Sequence, residues 1–216
     1  MNTKRGLLGY YNYTVILTYI GLLTALLGVT RMLDGDARGA VICLMVAGLC
    51  DMFDGAIAST RPRMPKEKRF GIQIDSLCDL ICFGVLPAFI TYSVNTGSVY
   101  YSSHLTKAVC GFYVLAALIR LAYFNVLEEE RQRLTTGHRE EYLGLPVTTA
   151  ALLLPGLFGA ACLTALPLAG GSLLLLAAMG VAFVLPIPLK KPYRAGCVAI
   201  LVVGVVEFAV ILLGTR

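Results

Sequence analysis

Seven long apolar segments follow one another along this chain, and they restrict its fold more than any other feature. Each is close to the roughly 20 residues that an α-helix needs to cross the hydrocarbon core of a membrane. The apolar runs are continuous rather than alternating, which disfavours a transmembrane β-barrel. We therefore predict an all-α, polytopic membrane helical bundle that forms one domain over residues 1–216. The predicted spans are 12–31, 38–60, 71–94, 105–127, 146–166, 170–189 and 194–213.

Lysine and arginine are distributed unequally between the two sides of such a bundle. If the N-terminus is cytoplasmic, 13 of the 18 Lys and Arg residues fall on the cytoplasmic side, 4 fall on the other side, and Arg120 lies inside a span. Membrane proteins carry this excess in their cytoplasmic loops. We therefore predict a cytoplasmic N-terminus and a cytoplasmic location for the basic loop 61–69. The basic residues are scattered over loops and form no nucleic-acid motif, so no nucleic-acid partner is expected.

Four aspartates lie in the second and third predicted spans. Asp51 and Asp54 are three residues apart, and Asp75 and Asp79 are four apart, so each pair shares one face of its helix. A turn between the helices brings the two pairs together near the cytoplasmic side. Carboxylates at close range require a counter-charge, and oxygen ligands suit Mg²⁺, Mn²⁺ or Ca²⁺ rather than zinc. We predict that all four aspartates bind a divalent metal.

Small residues accompany the acids. Gly55 and Ala58 follow Asp54 by one and four positions, and Gly71 opens the third span. They leave helix surface without bulky side chains, where a diphosphate can approach the backbone. For Gly55 alone, close helix packing is the simpler explanation. Metals beside such a surface indicate phosphoryl transfer, because cations bridge a diphosphate and a carboxylate can take the proton of an attacking hydroxyl.

The stretch from residue 51 to 79 resembles the signature of the CDP-alcohol phosphotransferase family. That signature is D-x2-D-G-x2-A-R, followed after eight or nine residues by G-x3-D-x3-D. Ser59 stands where the family has arginine, and Arg61, with nine residues between it and Gly71, is the predicted replacement as a phosphate contact. The matching residues are Asp51, Asp54, Gly55, Ala58, Gly71, Asp75 and Asp79.

Further blocks resemble the phosphatidylserine synthase branch of this family. IDSLCDLICFGVLPA, residues 74–88, is similar to its D-S-L-x-D-x3-F-G-x-x-P-A block. RLAYFN, residues 120–125, is similar to R-L-A-R-F-N, with Tyr123 in place of arginine. YLGLPVTTAA, residues 142–151, is similar to G-L-P-x-P-A-A, with differences in its middle.

The resemblance implies a six-span family core, an integral enzyme of the cytoplasmic membrane with its active site facing the cytoplasm, and a homodimer among membrane lipids. It implies that CDP-diacylglycerol binds with its CDP moiety at the metal site. The hydroxyl of serine then attacks the phosphorus attached to diacylglycerol, and CMP leaves. Asp79 would be the general base, and Mg²⁺ or Mn²⁺ the cofactor, with Ca²⁺ as a non-productive occupant. The residues implied to bind CDP are Asp54, Gly55, Ala58, Arg61, Gly71 and Asp75.

Arg120 lies deep in the fourth predicted span, where an arginine usually faces a polar cavity or a partner. We predict that it faces the active site and holds the carboxylate or phosphate of the acceptor, with Asn125 sharing that site. Pairing of Arg120 with an acid is the alternative. Glu207, alone in the seventh span, is interpreted as a structural or interface residue.

Two other functions stay open. The acceptor could be glycerol 3-phosphate, inositol phosphate or inositol, although the presence of Arg120 as the one evident basic residue within the spans favours an acceptor with limited anionic charge. A divalent cation transporter is a remote alternative. Transporters more often show repeats or broken helices in both halves, whereas the acids here are confined to one pair of helices beside a basic loop.

Overall fold

The computed structural model describes residues 9–96, 102–134, 141–164, 166–190 and 194–214. π-helical Leu80–Val85 joins the helices Pro65–Asp79 and Leu86–Asn95 into one continuous helix. Two 3-10 turns, Tyr13–Val15 and Val147–Thr149, lead into the helices that begin at Ile16 and Ala150. The described residues thus form seven helical segments, one for each predicted span, which confirms a membrane helical bundle. The helices are α1 Ile16–Leu33, α2 Ala37–Ala58, α3 Pro65–Asp79, α4 Leu86–Asn95, α5 Ser103–Leu134, α6 Ala150–Leu163, α7 Leu168–Val184 and α8 Arg194–Leu213.

Length divides these segments into two groups. Four are long and apolar enough to cross a membrane, namely Tyr13–Leu33, Ala37–Ala58, Pro65–Asn95 and Ser103–Glu130. The other three apolar helices are shorter, at Val147–Leu163, Leu168–Val184 and Val198–Leu213.

The end of the predicted span 170–189 is wrong. Helix α7 ends at Val184, and strand β2, Pro188–Lys190, pairs antiparallel with β1, Glu141–Leu143. Pro186 explains the early end, because a proline disfavours helical geometry at the residue before it and cannot donate a backbone hydrogen bond. The prediction of an all-α fold therefore misses one short two-stranded sheet.

The predicted third span begins too late. Helix α3 starts at Pro65, so half of the expected loop 61–69 is helical. Proline at the first helical position has a suitable fixed φ and no N–H to leave unpaired. The Glu67 side chain accepts a hydrogen bond from the Met64 N–H at 3.3 Å, which satisfies one exposed donor at this helix start.

Helices α1 and α2 form an antiparallel pair that positions the first two acids. They are joined by a tight turn in which Gly35 has φ +81°, and the Asp36 side chain caps α2 by accepting from the Gly39 N–H at 2.8 Å. A Cβ atom added to Gly21 of α1 would lie 3.5 Å from Cys50 Cβ of α2. This close approach is typical of small-residue helix packing in membranes, and it places α1 beside the acid-bearing face of α2.

The π-helical turn after Asp79 packs in the centre of the bundle. Tyr113 of α5 is 0% exposed, and its hydroxyl donates to the Phe83 carbonyl at 2.6 Å. Its ring lies 5.4 Å from the ring of Phe183 on α7. Because Pro87 has no N–H, the turn before it lacks one internal donor, and the tyrosine supplies a donor from a neighbouring helix.

Candidate active site

The four aspartates meet where α2 faces α3. Carboxylate oxygens of Asp51, Asp54 and Asp75 lie within 4.8 Å of one another. Between the two helices, the Asp51 side chain lies beside Asp79, and the Asp54 side chain lies beside Asp75. The helix spacing of the acids therefore predicted their meeting correctly.

This arrangement fits a hard divalent cation. Three oxygens within 4.8 Å of one another can converge on an ion at ligand distances of about 2.0–2.6 Å. Carboxylates in contact with each other need a cation or a shared proton to offset their repulsion, and oxygen donors suit Mg²⁺ or Mn²⁺. Asp51, Asp54 and Asp75 form this group, whereas Asp79 lies beside it and contacts Asp51. That Asp79 is also a ligand stays a prediction.

Thr18 of α1 completes the surroundings of Asp54. It is 8% exposed, Asp54 is 9% exposed, and the threonine hydroxyl donates to Asp54 Oδ2 at 3.2 Å. The bond fixes one carboxylate oxygen and so the direction of the other. The sequence did not single out Thr18, because threonines in membrane helices commonly bond to their own backbone. A cleft beside the acids is lined by Leu17, Thr18, Gly21, Ala47, Cys50, Asp51, Asp54, Cys78, Asp79, Cys82 and Phe83.

The segment before α1 is attached to the first turns of α3, one of the two acid-bearing helices. The Asn12 amide donates to the Glu67 carboxylate at the start of α3, and its oxygen accepts from the Thr14 N–H at 2.9 Å. The rings of Tyr10 and Phe70 lie 5.5 Å apart. These contacts fix the first turns of α3 relative to α1, and therefore the position of Asp75 relative to Thr18.

The small residues predicted to receive a diphosphate lie on open or lightly covered helix surface. A Cβ atom added to Gly55 would meet nothing within 4 Å. Ala58 is half-buried in the last turn of α2, and the Ser59 hydroxyl donates to the Ala56 carbonyl at 2.6 Å. The side chain of Arg61 is exposed. Its predicted phosphate contact therefore stays a prediction.

The Arg120 side chain donates hydrogen bonds to the backbone of a neighbouring loop. The side chain is 8% exposed, Nε donates to the Leu145 carbonyl at 3.3 Å, and Nη2 donates to the Gly144 carbonyl at 3.3 Å. Gly144 has φ +78°, and its N–H donates to the Ile187 carbonyl at 2.7 Å. Arg120 thus links α5 to the segment that follows α7. Its predicted role toward the acceptor stays a prediction.

Asn125 lies beside the acid-bearing turn of α3. Its Oδ1 accepts from the Ser76 hydroxyl at 2.8 Å. Ser76 follows Asp75 directly and precedes Asp79 by three residues, so α3 presents its acids and this hydroxyl from adjacent turns. The pairing was not predicted, since no periodicity in the sequence indicates which polar residue of α5 meets α3.

Comparison with known proteins now gives the family. The model of the CDP-alcohol phosphatidyltransferase family matches residues 11–187. The chain belongs to this family. The matched region contains all four aspartates as well as Arg120 and Asn125, which agrees with the resemblance based on the motif.

Several curated relatives share the family. The chain is 31% identical over 143 residues to the archaetidylserine synthase of Methanothermobacter thermautotrophicus, which covers 66% of this chain and 56% of the relative. It is 33% identical over 115 residues to the CDP-diacylglycerol–serine O-phosphatidyltransferase of Saccharomyces cerevisiae, covering 52% of this chain and 39% of the relative. The enzyme of the same name from Bacillus subtilis is 28% identical over 145 residues, which cover 66% of this chain and 73% of the relative. The chain spans about half the length of the first two relatives.

Proposed function

We propose that the chain transfers the phosphatidyl group of CDP-diacylglycerol to the hydroxyl of serine, which yields phosphatidylserine and CMP. The observation that carries the proposal is the convergence of Asp51, Asp54 and Asp75 within 4.8 Å, next to Asp79, in a chain of this family. The names of the relatives support serine as the acceptor, because each of the three names mentions either serine itself or a lipid that contains serine.

The residues around the acids would bind the CDP moiety. Asp51, Asp54 and Asp75 would hold Mg²⁺ or Mn²⁺, and Asp79 is proposed as a further ligand. A bound cation would offset the negative charge of the diphosphate and of the leaving CMP. Ca²⁺ is proposed as an occupant that does not support turnover. The open helix surface at Gly55 and the small side chain of Ala58 leave room for the phosphates. Gly71 is proposed to bind CDP together with the arginine side chain that lies on its backbone, and Arg61 is a candidate contact from the loop.

Asp79 is proposed as the general base. Its carboxylate would take the proton of the serine hydroxyl while the oxygen forms a bond to the phosphorus that carries diacylglycerol. The bond between this phosphorus and the oxygen of CMP then breaks, CMP leaves with the bonding electrons, and the proton remains on Asp79. A carboxylate bound tightly to a cation is a weak base, so one Asp79 oxygen would contact the cation and the other would stay free to take the proton. The location of Asp79 at the edge of the three-carboxylate group supports this division.

The acceptor is proposed to bind between α3 and α5. Asn125 lies next to the acid-bearing turn through Ser76, and Arg120 is buried on the same helix. A guanidinium group can pair with the single carboxylate of serine. A phosphorylated acceptor would require more positive charge at this place, and the sequence supplies one arginine within the spans.

The membrane arrangement is part of the proposal. Seven spans with a cytoplasmic N-terminus place the acids at the cytoplasmic face, where serine and nucleotides are available, and the acyl chains remain in the bilayer. The excess of Lys and Arg on that side supports the orientation. A homodimer is proposed from the family resemblance.

One assay tests the reaction directly. Purified protein receives CDP-diacylglycerol, Mg²⁺ or Mn²⁺, and separately serine, glycerol 3-phosphate, inositol phosphate or inositol, and CMP release is measured. We expect CMP with serine. CMP with glycerol 3-phosphate but not with serine would contradict the proposed acceptor, and no CMP with any acceptor would contradict the enzymatic function. Metal uptake into vesicles without CMP release would favour the transporter.

A further inference from the structure

Arg63 lies in the loop that joins the two acid-bearing helices. Its side chain is half-buried, whereas Arg61, Lys66 and Lys68 are exposed. A Cβ atom added to Gly71 would lie 2.9 Å from Arg63 Nη1, so the guanidinium group packs directly on the backbone of Gly71. The arginine that packs against α3 is therefore Arg63 and not Arg61, although Arg61 lies nearer to the motif.

This position is one helical turn from the acids. Gly71 precedes Asp75 by four residues, so both lie on the same face of α3, about 6 Å apart along the helix axis. Arg63 also interacts electrostatically with the Asp75 carboxylate. The guanidinium group therefore lies next to the three-carboxylate group, on the side toward the start of α3.

Arg63 lies near Asp75 but forms no close ion pair with it. Arg31 and Arg69 form ion pairs at 3.4 and 3.7 Å, but Arg63 forms none within 4.0 Å among the residues that the structure describes. A guanidinium group offers planar N–H donors that match two oxygens of a phosphate. Partial burial strengthens such a contact, because less water screens it.

We propose that Arg63 binds a phosphate of a nucleoside diphosphate whose other phosphate lies at the three-carboxylate group. The inference rests on the proposed function, in which CDP is the head group of the substrate. Ser59 cannot provide this charge, since its side chain is neutral and donates to the Ala56 carbonyl. Gly71 leaves the space that the guanidinium group of Arg63 occupies.

The test measures CDP binding to the purified protein with Mg²⁺ by calorimetry, together with Mn²⁺ binding in the absence of nucleotide. We expect Arg63→Gln to weaken CDP binding by about 10-fold or more, the loss expected for a hydrogen bond to a charged group. Arg63→Lys should weaken CDP binding less than Arg63→Gln does, because lysine keeps the positive charge although it lacks the planar pair of N–H donors of a guanidinium group. The matched control Lys68→Gln removes one exposed charge of the same segment and should change CDP binding by less than about twofold.

Mn²⁺ binding separates this role from a structural one. We expect Arg63→Gln to bind Mn²⁺ at least as tightly as the unmodified protein, because the substitution removes a positive charge beside Asp75 and leaves the carboxylates in place. Retained Mn²⁺ binding also shows that the variant is folded. Gly71→Ala should weaken CDP binding in the unmodified protein, because the added Cβ displaces the guanidinium group. In the Arg63→Gln background, Gly71→Ala should weaken CDP binding little further. The two substitutions remove the same contact, so their effects are not additive.

Three results would overturn the inference: an unchanged CDP affinity in Arg63→Gln, an equal loss in Lys68→Gln, or a loss confined to Arg61→Gln. A protein that binds CDP but releases no CMP with any acceptor would contradict the proposed reaction, while the Arg63 comparison would still decide the phosphate contact. A protein that does not bind CDP would contradict both.

Discussion

The hydroxyl of Tyr113 donates to the backbone carbonyl of Phe83 at 2.6 Å, inside the π-helical turn that directly follows Asp79. This bond connects the centre of α5 to the helix that carries half of the acid cluster. π-helical turns occur frequently at functional sites, and here the widened turn lies between Asp79 and the apolar helix α4. The bond therefore attaches the helix that carries Asp75 and Asp79 to α5 deep in the bundle.

Tyr113→Phe tests this contact. The Phe83 carbonyl would lose a buried donor, and we expect a loss of about 1–3 kcal/mol in the free energy of unfolding. The measurement is unfolding of the purified protein in detergent, followed by circular dichroism. Tyr123→Phe is the matched control, because it removes the same hydroxyl from a tyrosine of α5 that is 51% exposed. Equal stability of both variants would show that the bond to Phe83 contributes nothing.

Thr18→Val tests the support of Asp54. Valine keeps the shape of threonine but cannot donate to Asp54 Oδ2, so we expect Mn²⁺ affinity to fall by about three- to tenfold, the effect of one hydrogen bond. Thr18→Ser should keep most of the affinity. Electron paramagnetic resonance of free Mn²⁺ gives the measurement.

Thr30→Val is the control for Thr18→Val. Thr30 also lies on α1, about 18 Å along the helix axis from Thr18, and its hydroxyl donates to the Leu27 carbonyl at 2.8 Å. It should leave Mn²⁺ affinity unchanged. A similar loss in Thr18→Val and Thr30→Val would mean that the effect comes from α1 as a whole.

Arg120→Leu separates binding of the acceptor from stabilisation of the loop. Both carbonyl contacts, to Gly144 and Leu145, would be lost, and we expect lower stability of about 2 kcal/mol or more because two buried acceptors lose charged donors. If Arg120 also holds the serine carboxylate, the KM for serine rises at least about 10-fold while the KM for CDP-diacylglycerol changes little. Steady-state CMP release gives both constants. A rise in both by the same factor would contradict the acceptor role.

The acid cluster could be predicted from the sequence because it depends on local geometry. Spacings of three and four residues place Asp51 with Asp54 and Asp75 with Asp79 on single helix faces. The short connection between α2 and α3 brings the parts of the two helices that carry these acids close together. The seven helical segments followed from the continuous apolar runs. The first prediction uses helix periodicity, and the second uses the length of the apolar runs.

The remaining contacts are tertiary and could not be predicted. Whether Arg61 or Arg63 approaches α3 depends on the path of a loop that contains Pro62 and ends at Pro65, and helix periodicity does not apply to it. The meeting of Ser76 with Asn125, and of Thr18 with Asp54, depends on the rotation of each helix about its own axis. Helix α7 ends early because of Pro186, a signal that was present in the sequence but was outweighed by the apolar run around it.

Asp79→Asn is the substitution that tests the proposed division of roles among the acids most directly. CMP release from CDP-diacylglycerol with serine and Mn²⁺ is measured together with Mn²⁺ binding, for Asp79→Asn and for Asp54→Asn. We predict that Asp79→Asn reduces kcat by about 10²–10⁴-fold, the contribution of a general base, and retains binding of Mn²⁺ and CDP-diacylglycerol. Asp54→Asn should lose Mn²⁺ binding and turnover together. Loss of Mn²⁺ binding in Asp79→Asn equal to that in Asp54→Asn would contradict the assignment of Asp79 as the base.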